Sequence, residues 1–259
     1  MSDGRDLAKI EKALLSAREA VSQFTPGRIE SDQKAGGDPV TQADLLLDAV
    51  LKESLLESGD GWLSEETADD LNRLGCERVW IVDPIDGTRE FIQGIPEWCI
   101  SVALVVSGIP VCGGICNPPA DQLFLGCAGR GVTLNGHPVQ VSSKANLNGA
   151  TVLASRSEVQ RGEWTYFENA PFTIIPMGSI AYKLAQVAAG LADATFTPVP
   201  KNEWDIAAGV CLIQSSGGQA ADLTGQPRQF NRSNPLLGNF LAANPGLWTL
   251  LKQYMVNAR

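Results

Sequence analysis

The chain has 259 residues, 44% of them hydrophobic and 19% charged, the make-up of a globular protein with a core and not of a disordered or disulfide-dependent one. Its net charge of −9, with no cluster of Lys and Arg anywhere along it, argues against nucleic acid polymers and anionic membrane surfaces as partners. A membrane span would need about 18 consecutive apolar residues and a leader an apolar segment; neither is seen, MSDGRDLAKIEKALL being interrupted by charges, so a cytoplasmic protein with no membrane span is expected.

In chain order, residues 5–23 predict a helix with Leu7, Ile10, Leu14 and Val21 on one face. Ser31–Pro39 is rich in turn formers and reads as a loop, and Thr41 is placed to cap a second helix running to about Glu57. Val79–Val82 is a short, fully apolar strand that stops at Asp83-Pro84. Between residues 99 and 127, CISVALVV, PVCGGIC and QLFLGC form a β-meander punctuated by Ser-Gly and Asn-Pro-Pro turns. Thr151–Ala154 is a strand ending at Ser155-Arg156-Ser157. A helix follows Gly178-Ser179 to about Ala189, then a strand at Ala194–Thr197. A helix from near Trp204 ends at Gly217-Gly218 and leads to a further short strand, and a last helix spans roughly Gly246–Val256. The pattern predicts an α/β fold: an α+β subdomain over residues 1–140, an α/β subdomain over 141–259, and a boundary where Asn, Ser and Gly accumulate at 136–148, the two acting as one functional unit.

The six cysteines, Cys76, Cys99, Cys112, Cys116, Cys127 and Cys211, mostly sit in apolar runs and read as buried reduced thiols. The single histidine, His137, lies in the turn sequence LNGHPV. Zinc ligation and His-activated nucleophiles are thereby disfavoured, so hydrolytic chemistry must rest on carboxylates, hydroxyls and hard cations.

Carboxylates of that kind are present. In Trp80-Ile-Val-Asp-Pro-Ile-Asp-Gly-Thr88 an apolar strand delivers Asp83, Pro84 stiffens the turn, Asp86 follows, and the Ile85 carbonyl between them is a further oxygen donor. A helical turn starting after Gly87-Thr88 would aim free N–H groups at the same place, an anion site beside a cation site. Glu65-Glu66 in WLSEET, Asp44 in DPVTQAD and Asp205 in Asn202-Glu-Trp-Asp-Ile-Ala-Ala-Gly209 are three more acidic positions. Taken singly, these also read as an Asp-Gly turn, a solvated acidic pair and acids at helix starts. Ala207, Ala208 and Gly209 would let their helix pack closely on a sheet.

DPVTQAD, SEET, WIVDPIDGT and WDIAAG, in that order and spacing, resemble the inositol monophosphatase-like superfamily, a group of inositol monophosphatases, 3'(2'),5'-bisphosphate nucleotidases, histidinol phosphatases of this type and some fructose bisphosphatases. The resemblance runs from about Leu7 to Asn257. It implies a layered α-β-α-β-α sandwich and a magnesium-dependent phosphoric monoester hydrolase acting on a small-molecule phosphate ester, with two or three Mg2+ ions per site and inhibition by lithium. Relatives of both kinds make monomer and homodimer equally expected. Glu65, Asp83 and the Ile85 carbonyl resemble the ligands of one magnesium; Asp83, Asp86 and Asp205 those of a second. Asp44 and Thr88 resemble the pair that orients the attacking water, and the Gly87 and Thr88 amides the phosphate cradle.

For the substrate, Arg89-Glu90-Phe91 after DPIDGT, the SRSE of Ser155–Glu158 and EWDIAAG resemble the nucleotidases. Pro198 stands where many inositol phosphatases carry a glutamate that contacts inositol. The segment from Gly178-Ser179 to Gly190 is closer in length to the inositol phosphatases. Lys34, Gly178, Ser179, Lys183 and Asp205 are expected to contact substrate, Lys34 and Lys183 through its phosphates. The expectation is a 3'(2'),5'-bisphosphate nucleotidase releasing the 3'-phosphate of adenosine 3',5'-bisphosphate. The alternative is an inositol-1-phosphate or broad sugar-phosphate phosphatase; the complete acidic set disfavours an inactive binding relative.

Overall fold

The computed structural model describes residues 4–33 and 39–257. Helix α1 (Gly4–Val21) buries Ile10, Ala13, Leu14, Ala17 and Val21, the single stripe that its apolar spacing dictates. The expected loop contains two short antiparallel strands, β1 (Ser31–Gln33) and β2 (Pro39–Thr41). Lys34 lies between them, outside the described residues. Thr41 then caps α2 (Gln42–Leu55): its hydroxyl accepts from the amides of Ala43 and Asp44, while the Asp44 carboxylate accepts from the Thr41 amide.

A seven-stranded sheet follows in sequential order: β3 (Gly61–Ser64), β4 (Arg78–Asp86), then, beyond a short helix α3 (Thr88–Gln93), β5 (Cys99–Val106), β6 (Ile109–Asn117), β7 (Gln122–Cys127), β8 (Gly131–Leu134) and β9 (His137–Val139). Only the β3–β4 pair is parallel. The β4 strand is longer than Val79–Val82 and continues through Pro84 to Asp86. It does so by a bulge, Asp83 standing opposite Ser101 and Asp86 opposite Cys99, and a bulge is a place where proline is tolerated in a sheet. His137 is exposed at the start of β9 and not in the turn. The expectation of six reduced thiols is corrected in one respect. Cys112 and Cys127 face each other across β6 and β7 and are joined by a disulfide, whereas Cys76, Cys99, Cys116 and Cys211 are free.

The second sheet contains β10 (Thr151–Ser155), β11 (Thr173–Met177), β12 (Ala194–Thr197), β14 (Gln219–Ala221) and β16 (Phe240–Ala243), in the order β11-β10-β12-β16-β14. It is parallel across β11-β10-β12 and antiparallel beyond. A two-stranded ribbon of β13 (Lys201–Asn202) and β15 (Leu236–Leu237) stands beside it. Helix α4 (Arg156–Gln160) leaves β10 directly, α5 (Ile180–Ala188) and α6 (Glu203–Ser215) connect strands, and α7 (Pro245–Asn257) closes the chain.

Three apolar clusters define the layers. On β4, Trp80 and Val82 pack with α1 and α2, while Val79 and Ile81 pack with α5 and α6. That alternation explains why the strand is apolar on every residue: both its faces are covered. Leu153, Ala220, Phe240 and Ala242 of the second sheet close over the other side of α5 and α6, and the far face of that sheet packs against Trp164, Trp248 and Leu251. The result is the α-β-α-β-α stack, with α6 at its centre and Ile206–Ile213 wholly buried.

Close approach of the two central helices rests on Gly209. A Cβ at this position would stand 2.4 Å from Leu184 Cδ1 and 2.5 Å from Leu184 Cβ. Glycine-to-alanine in a helix interior ordinarily gains about 1 kcal/mol of propensity, but overpacking a core costs about 1–3 kcal/mol. Gly209→Ala is therefore expected to lower the urea midpoint of unfolding; an unchanged or raised midpoint would show that the central layer has slack.

Candidate active site

Six acidic or hydroxyl residues singled out from the sequence converge at one end of the large sheet. The bulge in β4 turns Asp83 and Asp86 toward α5 and α6, and α3 begins immediately after it, with Gly87 at its N-cap in a left-handed conformation (φ 101°) that glycine adopts without strain. From the first turn of α6 comes Asp205, whose Oδ2 accepts from the Asn202 amide at 2.8 Å. From the end of β3 comes Glu65. One carboxylate oxygen each from Glu65, Asp83 and Asp205 lie within 4.8 Å of one another.

Position is enforced from behind. Asp48, one turn along α2 from Asp44, accepts from the Ser64 hydroxyl at 2.5 Å and the Thr67 hydroxyl at 2.6 Å, so both flanks of the Glu65-Glu66 segment hang on α2. Asp44 is fully buried. Its Oδ2 accepts from the Thr41 amide (2.7 Å) and hydroxyl (2.6 Å), and its Oδ1 from the Thr88 hydroxyl (3.3 Å), which is also 3.0 Å from the Ile85 carbonyl. The Asp44–Thr88 pair expected from the sequence is thus assembled across 44 residues of chain.

Two expected residues also have protein partners. Asp86 lines the same cleft as Glu65 and Asp205 and adds its charge to theirs on Asp83 and Asp205; its Oδ2 accepts from the Ser179 hydroxyl (2.6 Å) and the Ala181 amide (2.5 Å), which fastens it to the start of α5. Lys183, read as a phosphate contact or a solvated helix lysine, is 3% exposed. Its Nζ donates to the carbonyls of Ser179 (2.9 Å), Met177 (3.2 Å) and Gly178 (3.4 Å). It ties down the Gly178-Ser179 turn, and burial lowers its pKa to about 8. Gly178, Ser179, Lys183 and Asp205 line the cleft, together with Gly87 and Thr88.

Sequence reasoning did not single out Lys201 and Asn202, and took Glu90, Ser155 and Ser157 only as marks of resemblance; all five line the same cleft. Lys201 carries a usable signal, standing four residues before Asp205, but its ion pair to Glu158 at 3.3 Å joins residues 43 apart and has no local trace.

The charge balance shows what the site lacks. Burial, then repulsion from Glu65, Asp86, Asp205 and Asp44, raises Asp83 well above the usual carboxylate range, and burial, then Asp86 and Glu65, does the same for Asp205. Asp83 Oδ1 is buried without a hydrogen-bond partner. An all-oxygen donor set with excess negative charge and one orphaned oxygen fits a hard divalent cation such as magnesium, and does not fit zinc or copper.

Comparison with known proteins gives a matching picture. The sequence profile of the inositol monophosphatase family matches residues 5–256. The Nus factor SuhB of Escherichia coli K12 is 30% identical over 244 residues, 91% of this chain and 88% of that protein. An inositol-1-monophosphatase of Rhizobium meliloti is 34% identical over 215 residues, 80% of each. The IMPase structure of Thermotoga maritima superposes with a TM-score of 0.83 at 26% identity, covering 99% of this chain and 98% of that one.

Because the folded chain raises Asp83 and Asp205, folding favours their protonated forms. The stability this contributes is full below about pH 4, where unfolded aspartates protonate, and is lost as pH rises through the raised values. The magnesium-free protein should therefore lose stability with rising pH, and Asp83→Asn should flatten that dependence, raising Tm at pH 8 by roughly 2–4 °C per kcal/mol of repulsion relieved. The same variant should retain less than about a tenth of wild-type turnover, since charge stabilisation dominates such chemistry. Calorimetry of wild type and variant over pH 5–8 checks the first expectation; unaltered turnover would remove Asp83 from the site.

Proposed function

The chain belongs to the inositol monophosphatase family and is a magnesium-dependent phosphomonoester hydrolase; from that premise we propose that its substrate is a small polyol or sugar monophosphate, with inositol 1-phosphate as the reference compound. The reading is carried by one observation about charge. A substrate with two phosphates needs cations beyond the metal site; of the cationic side chains around the cleft, Lys183, Lys201 and Arg156 are each engaged by the protein, and Arg89 lines it from the start of α3. Lys183 is held by three carbonyls, Lys201 by Glu158, and Arg156 by Glu97 at 2.5 Å. The cleft also offers partners suited to hydroxyl groups in Glu90, Ser155, Ser157 and Asn202. Glu90 packs against Gly178 and brings a carboxylate to the cleft.

In this reading Glu65, Asp83 and Asp205 hold magnesium, with Asp86 and the Ile85 carbonyl as neighbouring donors. Bound there, magnesium supplies Lewis acidity toward the phosphoryl oxygens and neutralises their charge. Asp44 has one oxygen pinned by Thr41, which leaves the other to hold the Thr88 hydroxyl. The pair orients a water for in-line attack and accepts its proton. Gly87 and Thr88, at the start of α3, line the cleft, and their amides are the proposed cradle of the transferred group. Nucleophilic attack by a protein side chain is not required, consistent with the single exposed histidine.

The nucleotidase reading rests on Arg89-Glu90-Phe91 and Ser155–Glu158, two segments that border the cleft, and it gives the rival for the test. Phosphate release is measured with magnesium, with and without chelator, from inositol 1-phosphate and adenosine 3',5'-bisphosphate. The expected outcome is a kcat/KM at least about a hundredfold higher for the inositol ester, about 2.7 kcal/mol of differential transition-state binding. The reverse ratio would make the protein a nucleotidase. Turnover indifferent to magnesium and chelator would overturn the metal roles given to Glu65, Asp83 and Asp205.

A further inference from the structure

Glu65 and Asp205 meet at the cation cluster from parts of the chain 140 residues apart, and each raises the cost of ionising the carboxylates around it. Their own repulsion would separate them, so something must hold the two segments together from outside. The structure places a buried polar tie there. Glu203 begins α6, two residues before Asp205, and is fully buried. Its Oε2 accepts from the Asn231 amide at 2.6 Å and its Oε1 from the Arg232 amide at 2.9 Å, while its own amide donates to the Pro235 carbonyl at 2.9 Å. The first turn of α6 is therefore clamped to the 231–235 segment, which also pairs with Asn202 through Leu236.

That segment is in turn clamped to the other half of the molecule by Arg73, 2% exposed. Arg73 Nη1 donates to Asn231 Oδ1 at 2.7 Å and Nη2 to the Arg232 carbonyl at 2.9 Å; Asn231 Nδ2 returns a bond to the Arg73 carbonyl at 3.1 Å. The same guanidinium grips Asp69, at 3.1 Å from Nε and 2.7 Å from Nη2, in the stretch that runs on from Glu65. Guanidinium, amide and carboxylate thus form an unbroken line from the Glu65 segment to the Asp205 turn. A fork of fixed geometry such as Arg73 transmits position in a way that a single-point contact cannot.

We propose that Arg73, Asn231 and Glu203 are positioning residues that fix the approach of Glu65 to Asp205 and thereby set the affinity of the site for magnesium. This rests on the metal-site reading above and deepens it. No part of the tie touches the substrate or the reacting atoms; its effect runs through the spacing of the two ligands, as expected where outer contacts orient first ligands and typically alter affinity by about 10–100-fold.

Asn231 offers the cleanest break, because its backbone is left-handed (φ 59°) and glycine retains that conformation while losing the side chain. Magnesium binding is measured directly by isothermal titration calorimetry on the full chain without substrate, alongside Tm and turnover. Asn231→Gly is expected to raise the magnesium Kd about tenfold, with kcat at saturating magnesium within about twofold of wild type. Asn244→Ala is the control: it removes the cap of α7 and its bond to the Lys144 carbonyl, remote from the cluster, and should lower Tm with the magnesium Kd unchanged. An Asn231→Gly protein that binds magnesium like wild type, or a control that weakens binding equally, would overturn the tie as a positioning device. Absence of magnesium binding by the wild-type chain would overturn the metal assignment, and this proposal with it.

Discussion

Three carboxylates brought within 4.8 Å of one another are the constraint to which the rest of this molecule answers. At that separation and an effective dielectric of about 20, each pair of like charges costs about 3 kcal/mol. Three pairs would consume most of the roughly 5–15 kcal/mol that holds a domain folded. Such a cluster survives only if it stays partly protonated or receives cations, and only if its members arrive on elements too firmly packed to drift apart. Every feature around the site serves one of those two needs. The orphaned Asp83 Oδ1 and the raised Asp83 and Asp205 are the cost of the first; the polar ties behind Glu65, Asp44, Asp86 and Asp205 supply the second.

The layered fold makes that firmness available. Asp83 leaves a strand covered on both faces, Asp205 lies in the first turn of a helix buried from Ile206 to Ile213, and Asp44 sits in a capping box that also aims its second oxygen at the Thr88 hydroxyl. Capping residues are ordinarily read as local stabilisers worth about 1 kcal/mol. Here two of them, Asp44 and Asp205, occupy the N3 position of their helices, and the bond each makes back to the N-cap amide fixes the carboxylate rotamer. One oxygen is thereby held by the backbone and the other is presented to the site. The same interaction that starts the helix orients the chemistry.

That double use explains which parts were legible in the sequence. The apolar strand before Asp83, the Thr41 cap before α2, the acid in the first turn of α6 and the small residues of α6 are local signals, and the structure has each of them. Asp44, Glu65, Asp83, Asp86 and Asp205 could be gathered by resemblance because their motifs are short and contiguous. What escaped depends on pairs distant in the chain. The β1–β2 pairing has no apolar period to reveal it. Extension of β4 past Pro84 depends on a bulge against β5. Lys183 looks like any exposed helix lysine until the Gly178-Ser179 turn folds its carbonyls over the ammonium. Cys112 and Cys127 read as separate buried thiols because only the β6–β7 register brings them face to face.

The lysines also bear on how a chain of net charge −9 accepts an anion. A cleft that attracted phosphate with loose basic side chains would bind any polyanion, and would do so without the metal. In this molecule the ammonium of Lys183 is turned inward onto carbonyls and that of Lys201 is paired with a buried Glu158, so their positive charge stiffens the walls of the cleft before any ligand arrives. On the reading proposed above, attraction for the ester is then vested mainly in the cation cluster and in the amides at the start of α3. Anion binding would then depend on metal binding, because without cations the cleft presents a surplus of carboxylate to an incoming phosphate. On the reading proposed above, the acidic character of the chain is, at this one place, what couples substrate binding to metal occupancy.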